Sequence, residues 1–402
     1  VLCIKPEEID NIEKRGKFAI SIIGCGVFGI MHACLFAEAG FKVIYVDADK
    51  TTVSSIAKGN APFLSRELEI KLKNHVKTRR LNATNDFRGA VSQSDVIILT
   101  LPVKIDEKKK ADYSEIENTC KRLGSGLRRG SLVIIMGVTG LGVTGKMIKE
   151  ILENTSGFKV GTDFGLAYSP IQVLYGQQLE TLANQKRIVA ATDKNSLNAA
   201  STILETITKN GVRRIGDIKM AEVVALFEVV QQDVSTALTS EFALFCEKAG
   251  VDYVEAYGFL KSNDYDSLPL PTLVNGKTRG ESYLLLEDAE DLNIALRIPK
   301  TAREINEGMI KHAINLTKDA LRNCGKSMRR ARICLLGISQ IPNVKTSPKK
   351  VAKELAKMLE AKGAKVSLHD PYFSSGELIE VRDSFKKNLA EAVEGADCIV
   401  IM

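Results

Sequence analysis

The stretch "KFAISIIGCGVFGIMHACLFAEAGFKVIYVDAD", residues 17–49, changes its hydrophobic rhythm twice. From Ala19 to Ile23 it is a short, apolar, β-branched run, which reads as a buried strand. Gly24, Gly26 and Gly29 follow, with Cys25, Val27 and Phe28 between them. A helical pattern then continues to Ala39, Gly40 stops it, and "KVIYVD" forms a second strand that closes at Asp47. Glycines at this spacing let the chain turn tightly, let backbone approach a pyrophosphate, and let helix pack on strand. The start of the helix adds unpaired N–H groups aimed at the same place. Asp47 stands 23 residues after Gly24, where an acid can accept the hydroxyls of an adenosine ribose.

A glycine pattern alone would be weak. Here strand, helix and acid agree with it, so the segment reads as a dinucleotide site made by residues 24–29 and Asp47. Asp47 would repel a 2′-phosphate, which favours NAD over NADP, and Lys50 tempers that preference. Cys25 reads as a small tolerated side chain, although a helix N-terminus also lowers a thiol's pKa.

Further along, apolar runs at 96–101, 132–136 and 165–168 alternate with helical stretches. That alternation continues the first unit as a doubly wound α/β domain over residues 1–214. From Met220 to Lys248 one helical pattern runs unbroken, roughly 43 Å long at 1.5 Å per residue. Its apolar positions, from Val223 to Phe245, cover most of the circumference, so it is buried on more than one side. It suits a spine between domains or the core of a dimer.

Residues 215–328 read as a central helical domain, interrupted by "LPLPTLVNGKTRGESYLL", a Pro- and Gly-rich loop carrying Lys277 and Arg279. At residues 329–402, "ARICLLG" opens a second Rossmann-like unit. Ser347 and Pro348 read as the N-cap and first turn of its helix. It has no GxGxxG, so no second dinucleotide is expected. "GADCIVIM" is a strand-like run that stops without a turn or cap, which reads as a domain cut short. The expected fold is therefore α/β: two Rossmann-like doubly wound domains joined by a long central helix and a small helical domain.

Bulk properties narrow the function classes. A composition of 45% hydrophobic and 26% charged residues is ordinary for a soluble globular protein of 402 residues. The net charge of +7 fits a protein that handles small anions. The basic run Lys71, Lys73, Lys77, Arg79, Arg80 has no aromatic residues among it and reads as a solvated face, not a nucleic-acid surface. No apolar run approaches the ~20 residues that span a bilayer, and the N-terminal residues lack a signal-peptide pattern. Eight scattered cysteines without a C-x-x-C pair read as free thiols in a reducing cytoplasm. The four histidines share no ligand spacing, so no metal is expected.

The order of elements and several strings resemble the nucleotide-sugar 6-dehydrogenases that act on UDP-glucose, UDP-N-acetylmannosamine and GDP-mannose. The strings are "GCGVFG" with "YVDAD", "VGTDFGLAYSP", "AEVVALFEVVQQDVSTALTSEFALFCEKAGVD", "AREINEGM" and "HDPY". "LAYSP" leans toward the N-acetylhexosamine branch. The resemblance implies an NAD domain, a dimerising helix over 220–248, and a C-terminal domain holding a UDP-sugar. It also implies oxidation of the sugar C6 twice, with two NAD, through a cysteine thiohemiacetal and thioester.

That chemistry needs a thiolate nucleophile, an oxyanion stabiliser and a carboxylate for water. Matched to the family, the loop puts Lys277 where the cysteine belongs and Glu281 where the aspartate belongs. No cysteine lies between Cys246 and Cys324. The family's glutamate and following basic residue fall on Ile171 and Gln172. Its helix lysine and asparagine fall on Ala225 and Val229, one apolar face at i and i+4. In the C-terminal domain its substrate lysine falls on Ile341 and its arginine near Lys345. Its Thr-Pro-Thr contact to NAD is Leu101, Pro102 and Val103, and its Ser-Thr pair is Gly137 and Val138, before "TGLGVTG".

Two readings follow. One is an NAD-dependent oxidoreductase of this type without the cysteine chemistry, with Lys277 and Lys345 as substrate contacts and Lys277 a candidate base or Schiff-base lysine. A solvated or phosphate-contacting lysine is the plainer reading of Lys277. The other is a non-catalytic relative, homodimeric through its long helix or the partner subunit of an active dehydrogenase. A β-hydroxyacid dehydrogenase would also need a lysine at Ala225, which counts against it.

Overall fold

The computed structural model describes residues 4–24, 26–61, 66–171, 179–262, 268–271, 273, 280–341, 344–348, 350–373 and 384–402. The chain divides into two compact units, one of Val1–Glu228 with Tyr283–Asp288 and one of Val229–Ser282 with Ala289–Met402.

The first unit is built on eight strands. In chain order, β1 (Ala19–Ile23), β2 (Lys42–Val46), β3 (Leu81–Thr84) and β4 (Val96–Leu99) come first. A small hairpin, β5 (Lys104–Ile105) with β6 (Ala111–Asp112), stands apart from the main sheet. Then come β7 (Leu132–Ile135), β8 (Gly165–Tyr168), β9 (Arg187–Ala191) and β10 (Val212–Arg214). The sheet order is β10-β9-β8-β7-β4-β1-β2-β3. All neighbours are parallel except β8 and β9.

The order reverses at β1 and β4. That reversal opens a crevice at the carboxyl ends of the strands, where this class of sheet takes its ligand. Strands β4, β7 and β8 are buried at every position, as expected for a parallel sheet covered on both faces. Alternate residues divide between two cores. Ile20, Ile22, Val96, Ile98, Leu132 and Ile134 enter one; Ile23, Ile97, Leu99, Val133, Ile135 and Tyr168 enter the other. The two-residue side-chain period of a strand produces this division.

The helix Gly26–Glu38 is buried continuously from Gly29 to Ala37. Its apolar circumference therefore belongs to the first core and not to a surface stripe. Strands β3, β9 and β10 were not foreseen from sequence; the runs "LNAT" of β3 and "VRR" of β10 are short and carry almost no apolar signal.

The long helix spans Ile218–Ala249, about 48 Å. In the second unit, Arg303 and Asn306 of the helix Arg297–Asn323 reach it at Asp233. The Arg303 guanidinium donates to Asp233 Oδ1 at 2.9 Å, and Asn306 Nδ2 donates to the same oxygen at 2.7 Å. Both members of the ion pair are 2% exposed. Removing one would strand a buried charge, at a cost of about 3–5 kcal/mol. The "AREINEGM" string is thus explained as a helix–helix lock.

Strands β11 (Arg332–Leu336), β14 (Lys365–His369) and β15 (Cys398–Ile401) form a parallel sheet in the order β14-β11-β15. The helix Lys350–Ala361 packs on it through Leu355 and Leu359. Between them, β12 (Ser339–Ile341) pairs antiparallel with β13 (Val344–Pro348). This corrects the reading of Ser347 and Pro348 as the start of a helix. Both residues belong to β13, with Pro348 paired to Ser339 at its end. Proline has no N–H to lose at such a strand end, so the same residue suits either role. Among the described residues, no helix is long and apolar enough to cross a membrane.

Candidate functional site

At the β1 end the chain leaves the sheet through Gly24, whose φ of +127° is open to glycine alone. A Cβ there would lie 2.6 Å from Thr100 Oγ1, so the turn rests directly on the strand-end loop after β4. Gly29 is equally constrained, because its Cβ would lie 2.7 Å from the Gly24 carbonyl oxygen. Gly26 differs. It has φ +73°, and nothing stands within 4 Å of where a Cβ would project. Two glycines therefore make the turn, and the third keeps a space clear above it. Val27 and Phe28 are half-buried and pack against the first core, leaving their backbone to the turn. Cys25 lies outside the described residues.

A cleft of about 410 Å³ opens beside the turn, lined by Gly24, Asp47, Phe87, Leu101, Asn118 and Arg122 among others. It brings together the ends of β1, β2 and β4, and Arg122 sits 4.3 Å over the Phe87 ring. Asp47 is held in place: Tyr45 Oη donates to its Oδ2 at 3.0 Å and the Asp49 N–H to its Oδ1 at 2.9 Å. A carboxylate has about four acceptor positions, so Asp47 retains capacity for ribose hydroxyls. Asp49, the next acid, instead caps the helix Lys50–Ala57 by accepting from Thr51 and Thr52. Those hydrogen bonds, from Thr52 first, lower its carboxyl to a pKa of about 2. Leu101 lines the cleft, whereas Pro102 is exposed beside it. The open space at Gly26 and the oriented Asp47 fit a dinucleotide's pyrophosphate and ribose.

A larger cavity, about 530 Å³, is lined by Glu38, Glu67, Lys71, Leu179 and Lys209. It includes neither the glycine turn nor Asp47, and its Lys71 is paired with Glu38 at 3.1 Å. We assign it no role.

The glycine-rich "TGLGVTG" is a second turn, at the end of β7, but its amides are occupied. Gly140 N–H donates to Tyr113 Oη at 3.1 Å and Leu141 N–H to Asp288 Oδ2 at 2.9 Å. Gly142 and Thr144 N–H donate to the two oxygens of Glu222, each at 2.7 Å. Glu222 is fully buried. Burial raises its pKa, and the backbone hydrogen bonds from Thr144 and Gly142 oppose that rise. Sequence reasoning missed it. The available signal was an acid set directly between the apolar positions Ala221 and Val223 of the long helix.

The catalytic positions matched from the family divide as follows. Ala225 is fully buried and Val229 half-buried. Ile171 packs against the first core. Lys345 is in β13 and Ile341 in β12, with their side chains outside the described residues. Lys277 and Gln172 lie outside the described residues, while Glu281 sits half-buried just before the helix Ser282–Asp291. His32 is no catalytic base. Burial, with Arg187 beside it, lowers its pKa to about 3, and its ring nitrogens meet the Phe28 carbonyl and Arg187, each at 2.8 Å.

Fold, glycine turn and acid together define a Rossmann-type, NAD-binding dehydrogenase domain. Residues 18–208 match the NAD-binding domain of the UDP-glucose/GDP-mannose dehydrogenase family. UDP-N-acetyl-D-mannosamine dehydrogenase of Pyrococcus horikoshii is 29% identical over 387 residues, covering 95% of this chain and 88% of that protein. The solved structure of the UDP-D-ManNAc dehydrogenase from that organism matches with a TM-score of 0.84 at 26% identity, covering 95% and 88% of the two chains. An NDP-N-acetyl-D-galactosaminuronic acid dehydrogenase from Methanosarcina mazei Go1 matches with a TM-score of 0.73 at 27% identity, covering 99% and 87%. Residues 18–208 thus form an NAD-binding domain of the UDP-glucose/GDP-mannose dehydrogenase type, with NAD as its cofactor.

Proposed function

We propose that this protein binds NAD and a nucleotide sugar but does not carry out the cysteine-dependent, two-step oxidation to a uronic acid. In this reading residues 24–29 hold the pyrophosphate through backbone amides, Asp47 takes the adenosine ribose, and Leu101 and Pro102 flank the cofactor. Lys277 and Lys345 contact the nucleotide sugar. The name of the P. horikoshii relative suggests a UDP-N-acetylhexosamine as the first ligand to test.

One observation carries the loss of the cysteine chemistry: the stretch between Cys246 and Cys324 contains no cysteine. The buried methyl of Ala225 supports it. A catalytic unit without its nucleophile forfeits many orders of magnitude, and its remaining members recover little. The test is NADH formation by purified protein with NAD and a panel of UDP-, GDP- and dTDP-hexoses and N-acetylhexosamines. The expected result is no uronic acid from any of them, in protein that binds NAD. Uronic acid production would overturn the proposal.

A second reading, a non-catalytic dimer or partner subunit in the cytoplasm, draws on the long helix. Phe227, Leu238, Phe242 and Phe245 are 58%, 40%, 40% and 73% exposed. They stand at i, i+11, i+15 and i+18, close to one helical stripe. Apolar stripes of this kind belong in interfaces. The expected result is a dimer by light scattering at micromolar concentration, converted to monomer by Phe242→Arg with Phe245→Arg. A wild-type monomer would remove this reading.

A further inference from the structure

The turn at 139–144 sits at the end of β7, beside the loop that follows β4. A Cβ on Gly137 would lie 2.4 Å from the Leu101 carbonyl oxygen, so the two loops touch backbone to backbone. Leu101 in turn lines the cofactor cleft. A dinucleotide with its adenosine ribose at Asp47, beyond β2, and its pyrophosphate at the β1 turn extends its other half toward the ends of β4 and β7. The 137–144 turn is therefore the wall on the nicotinamide side.

That wall is not held by its own hydrogen bonds alone. Glu222 takes two of its amides and Asp288 a third. Tyr113 Oη accepts from Gly140, and the residue after it, Ser114, lines the cleft. Glu287, next to Asp288, accepts from Ala111 N–H at 2.8 Å, bracing the β5–β6 hairpin that follows the Leu101 loop. The turn opens a helical run, π from Val143 to Ile148 and α from Lys149 to Ser156. The N–H groups at such a start would suit an anion. Here the protein's own carboxylates occupy that position.

We propose that Glu222 and Asp288 are positioning residues that fix this turn and so set the nicotinamide side of the cofactor cleft. The inference rests on NAD as the ligand of the 24–29 turn. It makes a distinction that general loss of structure does not: the adenosine and pyrophosphate half should be indifferent to the clamp.

The experiment compares NAD with ADP-ribose, which lacks the nicotinamide, by calorimetry on wild type and Glu222→Gln. A glutamine oxygen can keep one of the two amides, so one charge-assisted hydrogen bond is lost. NAD affinity is expected to fall about tenfold. ADP-ribose affinity should stay within about twofold, roughly a third of that free-energy change or less. Equal losses for both ligands, or no loss for either, would overturn the proposal. Should Glu222→Gln not fold, Asp288→Asn applies the same test at a half-buried site and must show the same split in smaller measure. Failure of the NAD assignment itself looks different, because wild type would then bind neither ligand.

Discussion

The turns at 24–29 and 139–145 resemble each other in sequence and differ in what stands against them. Both follow a buried parallel strand, both are glycine-rich, and both open a helix. Above Gly26 the first turn keeps clear space, while the second is filled by Glu222, Asp288 and Tyr113. Glycine spacing therefore does not define an anion site. What marks the second turn is that the protein's own acids take its amides. A second contrast concerns those acids. Asp49 and Glu222 each accept two backbone N–H groups at a helix start, yet their pKa values move in opposite directions. Exposed Asp49 gains hydrogen bonds at almost no desolvation cost, so its charged form is favoured. For buried Glu222 desolvation outweighs the same kind of hydrogen bond.

The largest expected effect breaks the open turn. Gly26→Val places a branched side chain in the space above it, and NAD affinity should fall by about a hundredfold. ADP-ribose should weaken equally, because the pyrophosphate is common to both ligands. The left-handed backbone at φ +73° adds a folding cost of roughly 1–2 kcal/mol, visible in denaturant titration. Unchanged NAD binding in folded Gly26→Val would show that the clear space is not the phosphate position.

How far the sequence led can be judged on the same two turns. The first was legible because its strand, glycines, helix and acid lie within one continuous segment, and each answers a local rule. The second was visible only as a glycine-rich string. Its partners come from Glu222 and Asp288, 80 and 147 residues away from the amides they accept, and no local pattern announces such distances. The antiparallel β9 was hidden for a similar reason: its run "RIVAA" reads the same in either direction of pairing. Pro348 misled because a proline suits both the first turn of a helix and the end of a strand. Ala225 was singled out only by the resemblance, which puts a lysine there; its side chain is fully buried.

A smaller effect separates the two acids by pH. The folded protein holds the Glu222 proton more tightly than the unfolded chain does. Folding therefore takes up a proton between the ordinary carboxyl value of 4.5 and the raised one. Stability from this residue falls as pH rises through that window. Asp49 has the opposite sign: its contribution is present above its ordinary value of 3.8 and is lost as pH falls through about 2. Replacing Glu222 by glutamine should flatten the loss of stability with rising pH above 4.5, and Asp49→Asn should leave that region unchanged. Thermal melts from pH 4 to pH 8 read both. A Glu222→Gln profile parallel to wild type would mean that burial does not hold its proton.

The smallest effect tests the filled turn from the backbone side. Gly142 has φ +79°, and a Cβ there would meet only Lys146 Cδ, at an ordinary 3.7 Å. Gly142→Ala thus has room and bears only the left-handed strain, about 1–2 kcal/mol. Its N–H still reaches Glu222, so the clamp survives and NAD affinity should change by less than about twofold, under 0.5 kcal/mol. Denaturant melts and calorimetry on the one variant separate these quantities. A methyl at Gly142 that weakened NAD as strongly as a side chain at Gly26 would mean that the cofactor's phosphates reach the second turn as well. The difference between an open and an occupied turn would then collapse.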